Sequence, residues 1–279
     1  ATAIYYYDLV LLSEMAGLLQ KSEEQEHYAR LAEGVRSAFN HKFFDDENSV
    51  YATGSQTAMS MPLCLNIVAP SYRKQVLSNL VDSIKAQDKA LTAGDIGFHY
   101  LVQALTEGGA SQLLFEMNNR DDVPGYGYQL KKGATALTES WPALEIVSNN
   151  HLMLGHLMEW FYSGIGGIRQ EEHSAGFRSI IIKPAIVGDL SAAAVSFESP
   201  YGMIMCDWKI SEGNLSMKVR IPENTTALVY LPVKLNSLIY ENNVAVDQIA
   251  KIKHVRTENG YNIYSVGSGN YDFLVVEKK

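Results

Sequence analysis

The periodicity of the apolar residues changes near residue 170, and that change limits the fold more than any single motif. Up to that point they recur at three- and four-residue spacing, and beyond it they alternate. Ile4, Leu11, Leu12, Met15, Leu18 and Leu19 mark a helix over about 2–20. Ser22 followed by Gln25 reads as a capping box, opening a second helix with Tyr28, Leu31, Ala32, Val35 and Phe39 on one stripe. Ser55 caps a stretch through Leu65, and Pro70-Ser71 opens a helix carrying Val76, Leu77, Leu80, Val81 and Ile84. Gly94-Asp95 precedes a helix over 96–107, and a short one follows over 110–118. The stretch 120–148 reads as irregular, and Asn149-Asn150 open an apolar helix over 151–163.

From 175 onward the pattern is that of short strands: 180–182, 194–197, 203–210, 215–221, 227–231, 237–240, 252–256, 261–266 and 273–276. Gly213-Asn214, Glu258-Asn259-Gly260 and 267–270 supply turns between them, which predicts an antiparallel sandwich of about 100 residues. Asn224-Thr225-Thr226 is either a turn or a glycosylation sequon. The expected division is therefore residues 1–170 and 171–279. Paired helices with short connections are the building blocks of α-hairpins and of α/α toroids. A closed six-hairpin ring needs more helices than this half contains, so the helical part reads as a bundle or as a portion of a larger ring.

Composition narrows the function classes. A hydrophobic fraction of 47% with 19% charged residues belongs to a chain with a core. The net charge of −8 argues against a nucleic-acid backbone as partner, and no apolar run reaches the roughly 18–20 residues that span a bilayer. Cys64 and Cys206 fall in different halves, so no disulfide framework or cysteine metal site is expected.

The chemistry concentrates in 118–151, a long aperiodic stretch rich in carboxylates, aromatic rings and glycines. A carboxylate beside an aromatic ring suits sugar chemistry, with the acid moving a proton while the ring face holds a pyranose. Glu139 is the sharpest candidate for a general base, although taken alone it also fits a capping or surface glutamate. Trp141, Tyr126, His151 and Asp95 are candidate substrate-binding residues; Asp95 also fits an N-cap, and Asp121 and Asp122 fit either hydroxyl ligands or turn residues. His151, His156 and Glu159 superficially suggest a metal site, but a five-residue spacing does not place both imidazoles on one helix face, so no metal is expected. Walker, nucleophile-elbow and dinucleotide motifs are absent from the sequence, and no cofactor is expected.

Taken in order, several motifs resemble the bacterial α-L-rhamnosidase family, glycoside hydrolase family 78. They are Tyr5-Tyr6-Tyr7-Asp8, Ala38-Phe39-Asn40, Ser55-Gln56-Thr57-Ala58 and Gly94-Asp95-Ile96-Gly97, then Gly133-Ala134-Thr135 with Glu139-Ser140-Trp141 and Ser148-Asn149-Asn150-His151. Gly176-Phe177-Arg178, Ser199-Pro200-Tyr201-Gly202 and Pro222-Glu223-Asn224 continue the series. The resemblance implies the C-terminal portion of an (α/α)6 catalytic toroid followed by an antiparallel β-sandwich. It implies inverting hydrolysis of terminal α-L-rhamnosides, with Glu139 as general base, His151 contacting the sugar, and a general acid upstream of this chain. A rhamnose-containing glycan or glycoside becomes the expected partner, and a periplasmic or extracellular setting the expected location. Where the family pattern has Trp before the glutamate this chain has Thr138, and the stretch from Glu139 to His151 is short. A different sugar specificity on the same ring architecture, or a carbohydrate-binding fragment without catalysis, stay open. So does self-association through the face that missing helix pairs would cover.

Overall fold

The computed structural model describes residues 1–277, in two compact units that divide after residue 156. The first unit is helical. Helices α1 (Thr2–Leu18) and α2 (Ser22–Phe43) pack together around Ala3, Tyr6, Leu9 and Ala32. No side chain caps α2. Ser22 is its first helical residue, and Gln25 packs over Gly17, where a Cβ would lie 2.7 Å from the Gln25 amide nitrogen. The expected capping box is thus replaced by a contact across the α1–α2 turn.

A two-stranded hairpin, β1 (Phe44–Asp45) and β2 (Val50–Tyr51), follows α2. Asn40 ties it down by accepting from the Tyr51 hydroxyl at 2.5 Å and donating to the Ile67 carbonyl at 3.0 Å. Helix α3 (Gln56–Cys64) starts where Ser55 accepts the Ala58 N–H, as its sequence predicts. Helix α4 (Pro70–Ala86) turns Val76, Leu80 and Ile84 fully inward, the i, i+4, i+8 stripe of an amphipathic helix. Helix α5 (Asp95–Glu107) crosses α3 so closely that a Cβ on Gly97 would fall 1.9 Å from the Thr57 hydroxyl. Helices α6 (Ser111–Asn118) and α7 (Tyr126–Lys131) complete the first unit's regular helices. The sequence reading missed α7 because Gly125 and Gly127 look like a loop. Gly127 is needed for close packing, since a Cβ there would meet the Arg120 carbonyl oxygen at 2.4 Å.

The apolar run 151–163 is not one helix. It splits into a 3-10 turn (Leu152–Leu154), a single turn α8 (Leu157–Trp160) and a π turn (Phe161–Ile165). The first break falls at Gly155, the C-cap of the 3-10 turn.

The second unit holds two sheets. Strands β3 (Ile168–Gln170), β4 (Ser179–Ile182), β5 (Ala192–Ser199), β6 (Gly202–Ser211), β7 (Asn214–Ile221) and β8 (Thr226–Pro232) are followed by β9 (Leu238–Glu241), β10 (Val244–Ala245), β11 (Lys253–Glu258), β12 (Tyr261–Val266) and β13 (Gly269–Val276). One sheet runs β10-β9-β13-β7-β6-β5 and the other β11-β12-β8-β4-β3. Every pairing is antiparallel except β4 with β8, a parallel neighbour that the hairpin pattern did not predict. Alternation places Ile204, Cys206 and Trp208 of β6, Met217 and Val219 of β7, and Phe273 of β13 in one core with Ile180, Val229 and Leu231 of the second sheet. That shared core makes the unit sandwich-like. Glu212-Gly213 and Asn259-Gly260 have positive φ at both positions, as tight turns matching the strand twist require. Asn224 is likewise at positive φ, in a turn where the Thr225 hydroxyl donates to Pro222. No helix among the described residues is long and apolar enough to cross a membrane.

Candidate active site

The site is built on the start of α5 and on the loop 137–151. Asp95 is the first residue of α5, with Gly94 as N-cap. Its Oδ1 accepts the Ile96 N–H at 2.8 Å, so it takes the first-turn place of an acidic residue rather than the cap. Its Oδ2 lies 3.3 Å from His151 Nε2, joining residues 56 apart in sequence. With Nε2 protonated, the imidazole donates to this carboxylate and leaves Nδ1 as an acceptor.

The loop closes on itself through two backbone bonds. His151 N–H donates to Leu137 at 2.8 Å, and Glu139 N–H donates to Ser148 at 2.8 Å. Glu139 and His151 therefore lie on opposite arms of one clasp. The Glu139 side chain is exposed, and its Oε2 accepts the Ser148 N–H at 3.1 Å. One oxygen is thereby fixed and the other can receive a water.

Trp141 anchors the clasp. It is 6% exposed, its indole N–H donates to the Ala93 carbonyl at 2.7 Å, and its ring meets Phe98 and Tyr126 edge-on at 4.9 and 5.2 Å. A buried indole N–H needs such an acceptor. The Tyr126 hydroxyl donates to the Leu154 carbonyl. As placed, these rings form the floor that supports the loop, and Trp141 offers no open face to a ligand. Thr138 also points inward. It is 1% exposed and donates to the Ser140 carbonyl at 2.7 Å, while buried Gln129 donates to the same oxygen at 3.3 Å.

The remaining candidates separate. Arg120 grips Asp122 with two bonds, at 2.8 and 2.7 Å, and this holds the Asp122 carboxyl down at about 2. Arg120 also donates to the Asp88 carbonyl at 2.6 Å, while Asp121 faces Lys131 at 3.3 Å. Both aspartates thus work in ion pairs that shape the loop. The His156 ring lies 4.8 Å from that of His99, while His151 pairs with Asp95. A cleft of about 560 Å³ adjoins the clasp, lined by Tyr128, Lys132, Thr135, Leu144, Glu145 and Asn149 among others. Neither Glu139 nor His151 lines it, although Asn149 is next to Ser148.

Sequence comparison adds an independent line. The bacterial alpha-L-rhamnosidase 6 hairpin glycosidase domain model matches residues 1–165, and the bacterial alpha-L-rhamnosidase C-terminal domain model matches 167–245. An alpha-L-rhamnosidase of Streptomyces avermitilis is 29% identical over 289 residues, covering 99% of this chain and 26% of its own length. One from Formosa agariphila is 26% identical over 281 residues, covering 98% of this chain and 30% of its own. Among solved structures, the Streptomyces avermitilis alpha-L-rhamnosidase complexed with L-rhamnose matches with a TM-score of 0.88 at 28% identity, over 99% of this chain and 26% of that one. The alpha-L-rhamnosidase from Dictyoglumus thermophilum matches with a TM-score of 0.89 at 30% identity, over 99% and 32%. The chain spans 26% and 30% of the length of these two curated relatives.

Proposed function

Because the chain belongs to the bacterial α-L-rhamnosidase family, we propose that it carries the base and part of the sugar site of an enzyme hydrolysing terminal α-L-rhamnosides with inversion. The observation that carries this reading is the clasp, which brings Glu139 and His151 onto facing arms and couples His151 to Asp95. Glu139 takes the proton of a water that attacks the anomeric carbon, His151 bonds a sugar hydroxyl, and Asp95 holds the imidazole.

An inverting pair flanks its bond with carboxyls roughly 6.5–9.5 Å apart. The reading assigns the acid to a part of the longer protein outside this chain, so residues 1–279 alone are expected to be inactive. It also completes the architecture: the helices belong to an (α/α)6 toroid and the two sheets to a β-sandwich. Tyr5, Leu12, Met15 and Leu18 on α1 are exposed although α1 also buries Ala3, Tyr6 and Leu9. A helix apolar on several sides is built to be covered on several sides. In this reading, further hairpins of the ring cover the open side, and a second copy of the chain does so when they are lacking.

The test is Glu139→Gln in the full-length protein, measured as rhamnose release from an aryl α-L-rhamnoside. The expected loss is on the order of 10²- to 10⁴-fold with folding intact. Undiminished release removes Glu139 from the mechanism.

A further inference from the structure

The proposed sugar site contains a mechanical puzzle. The Asp95 and His151 side chains are 41% and 22% exposed, and their contact is a single 3.3 Å pair. A pair this open is worth roughly 0–1 kcal/mol, too little to hold its own geometry. Something more rigid must set it.

We propose that Gln56 is that positioning residue. Gln56 is 3% exposed, and three bonds from its amide reach one short segment. Nε2–H donates to the Ala90 carbonyl at 2.7 Å, while Oε1 accepts the N–H groups of Thr92 at 3.0 Å and Ala93 at 3.1 Å. Ala93 is also the residue whose carbonyl receives Trp141, at 2.7 Å. One side chain on α3 thus fixes the strand of backbone that leads into Asp95 and, through it, the anchor of the Glu139 clasp. The next residue acts on the far side of Asp95. Thr57 fills the space where Gly97 has no Cβ, so α3 grips the chain at 90–93 and again at 97. Asp95 lies between these two fixed points, and its aim at His151 follows from them. A buried amide whose partners are all backbone groups of one loop transmits position well, because moving that loop breaks several bonds at once.

This inference rests on the functional reading for its kinetic test but not for its structural one. In the full-length protein, a double-mutant cycle of Gln56→Met and Asp95→Asn is assayed on an aryl α-L-rhamnoside, with melting followed in parallel. Gln56→Met is expected to lower kcat on the order of 10- to 100-fold, as a misplaced catalytic constellation does, with KM little changed. Added to Asp95→Asn, it is expected to cost less than it does alone, since part of its effect runs through the Asp95–His151 pair. Fully additive losses, or a rise in KM alone, overturn the proposal.

The structural arm uses residues 1–279 and the hydrogen-exchange rate of the Trp141 indole proton. Exchange is expected to be at least about tenfold faster in Gln56→Met. Gln56→Glu, which keeps the shape and both accepted bonds, is expected to fall between Gln56→Met and the natural chain, and serves if Gln56→Met does not fold. Exchange unchanged in the folded variants contradicts the clamp. If Glu139→Gln is fully active while exchange responds as expected, the functional reading fails and the clamp stands.

Discussion

The two units bury their apolar residues in different ways. In the β-rich unit, Trp208, Met217, Val229 and Phe273 from two facing sheets reach 2% exposure or less in a single core. In the helical unit, Leu80 of α4 and Phe98 of α5 are as well buried, yet Leu12, Met15 and Leu18 of α1 stay exposed, as do Leu144 and Ile146 of the clasp, the last at 91%. Two sheet faces can satisfy each other, whereas a helix apolar on several sides needs neighbours on several sides. The residues proposed for chemistry lie in the unit that is short of neighbours. Exposure of Glu139 then has a plain meaning: on the proposed reading, the rest of the pocket comes from chain beyond these residues.

This contrast can be broken by substitution. Phe273→Ala should cost about 3–5 kcal/mol in denaturant unfolding, because it empties a closed core. A loss below about 1 kcal/mol would mean that the β-rich core is not what holds that unit. Gly97→Ala should cost about 1–3 kcal/mol in the helical unit, since its methyl group collides with Thr57.

The two units should also part at alkaline pH. Burial pushes the Cys206 thiol up to about 12 from 9.0, and the Tyr51 phenol up to about 12 from 10.0. Between the unfolded and folded values the unfolded state binds fewer protons, so stability falls as pH rises. The β-rich unit should begin to weaken near pH 9 through Cys206, by roughly 3 kcal/mol at pH 11, while the Tyr51 contribution starts only near pH 10. Cys206→Ala should flatten the earlier limb in a pH-resolved unfolding series. The smallest effect is expected on α1: Leu12→Ser should change stability by less than about 0.5 kcal/mol, yet reduce self-association of residues 1–279 in sedimentation. A large stability loss there would show that α1 is already covered.

The sequence revealed most of what periodicity encodes. Val76, Leu80 and Ile84 announced α4, and the alternation of Leu215, Met217 and Val219 announced β7. It also singled out Asp95, Glu139, Trp141 and His151. What it could not carry were relations across distance. Nothing local says that Asp95 meets His151, that the Trp141 indole is satisfied by Ala93, or that Gln56, which looks like the opening residue of an ordinary helix, holds 90–93. The two glycines around Tyr126 hid α7, because the close approach to Arg120 that demands Gly127 is tertiary. The parallel β4–β8 pairing was hidden for the same reason.

The central claim is that Glu139 is the base of an inverting hydrolysis, and azide rescue of Glu139→Ala in the full-length protein tests it most directly. Removing the carboxylate opens space for azide to attack the anomeric carbon from the face that water uses, as the aglycone departs. The account predicts restored aglycone release and an inverted β-L-rhamnosyl azide, identified by NMR. Aglycone release at the natural rate without azide, or an α-configured azide, would contradict it.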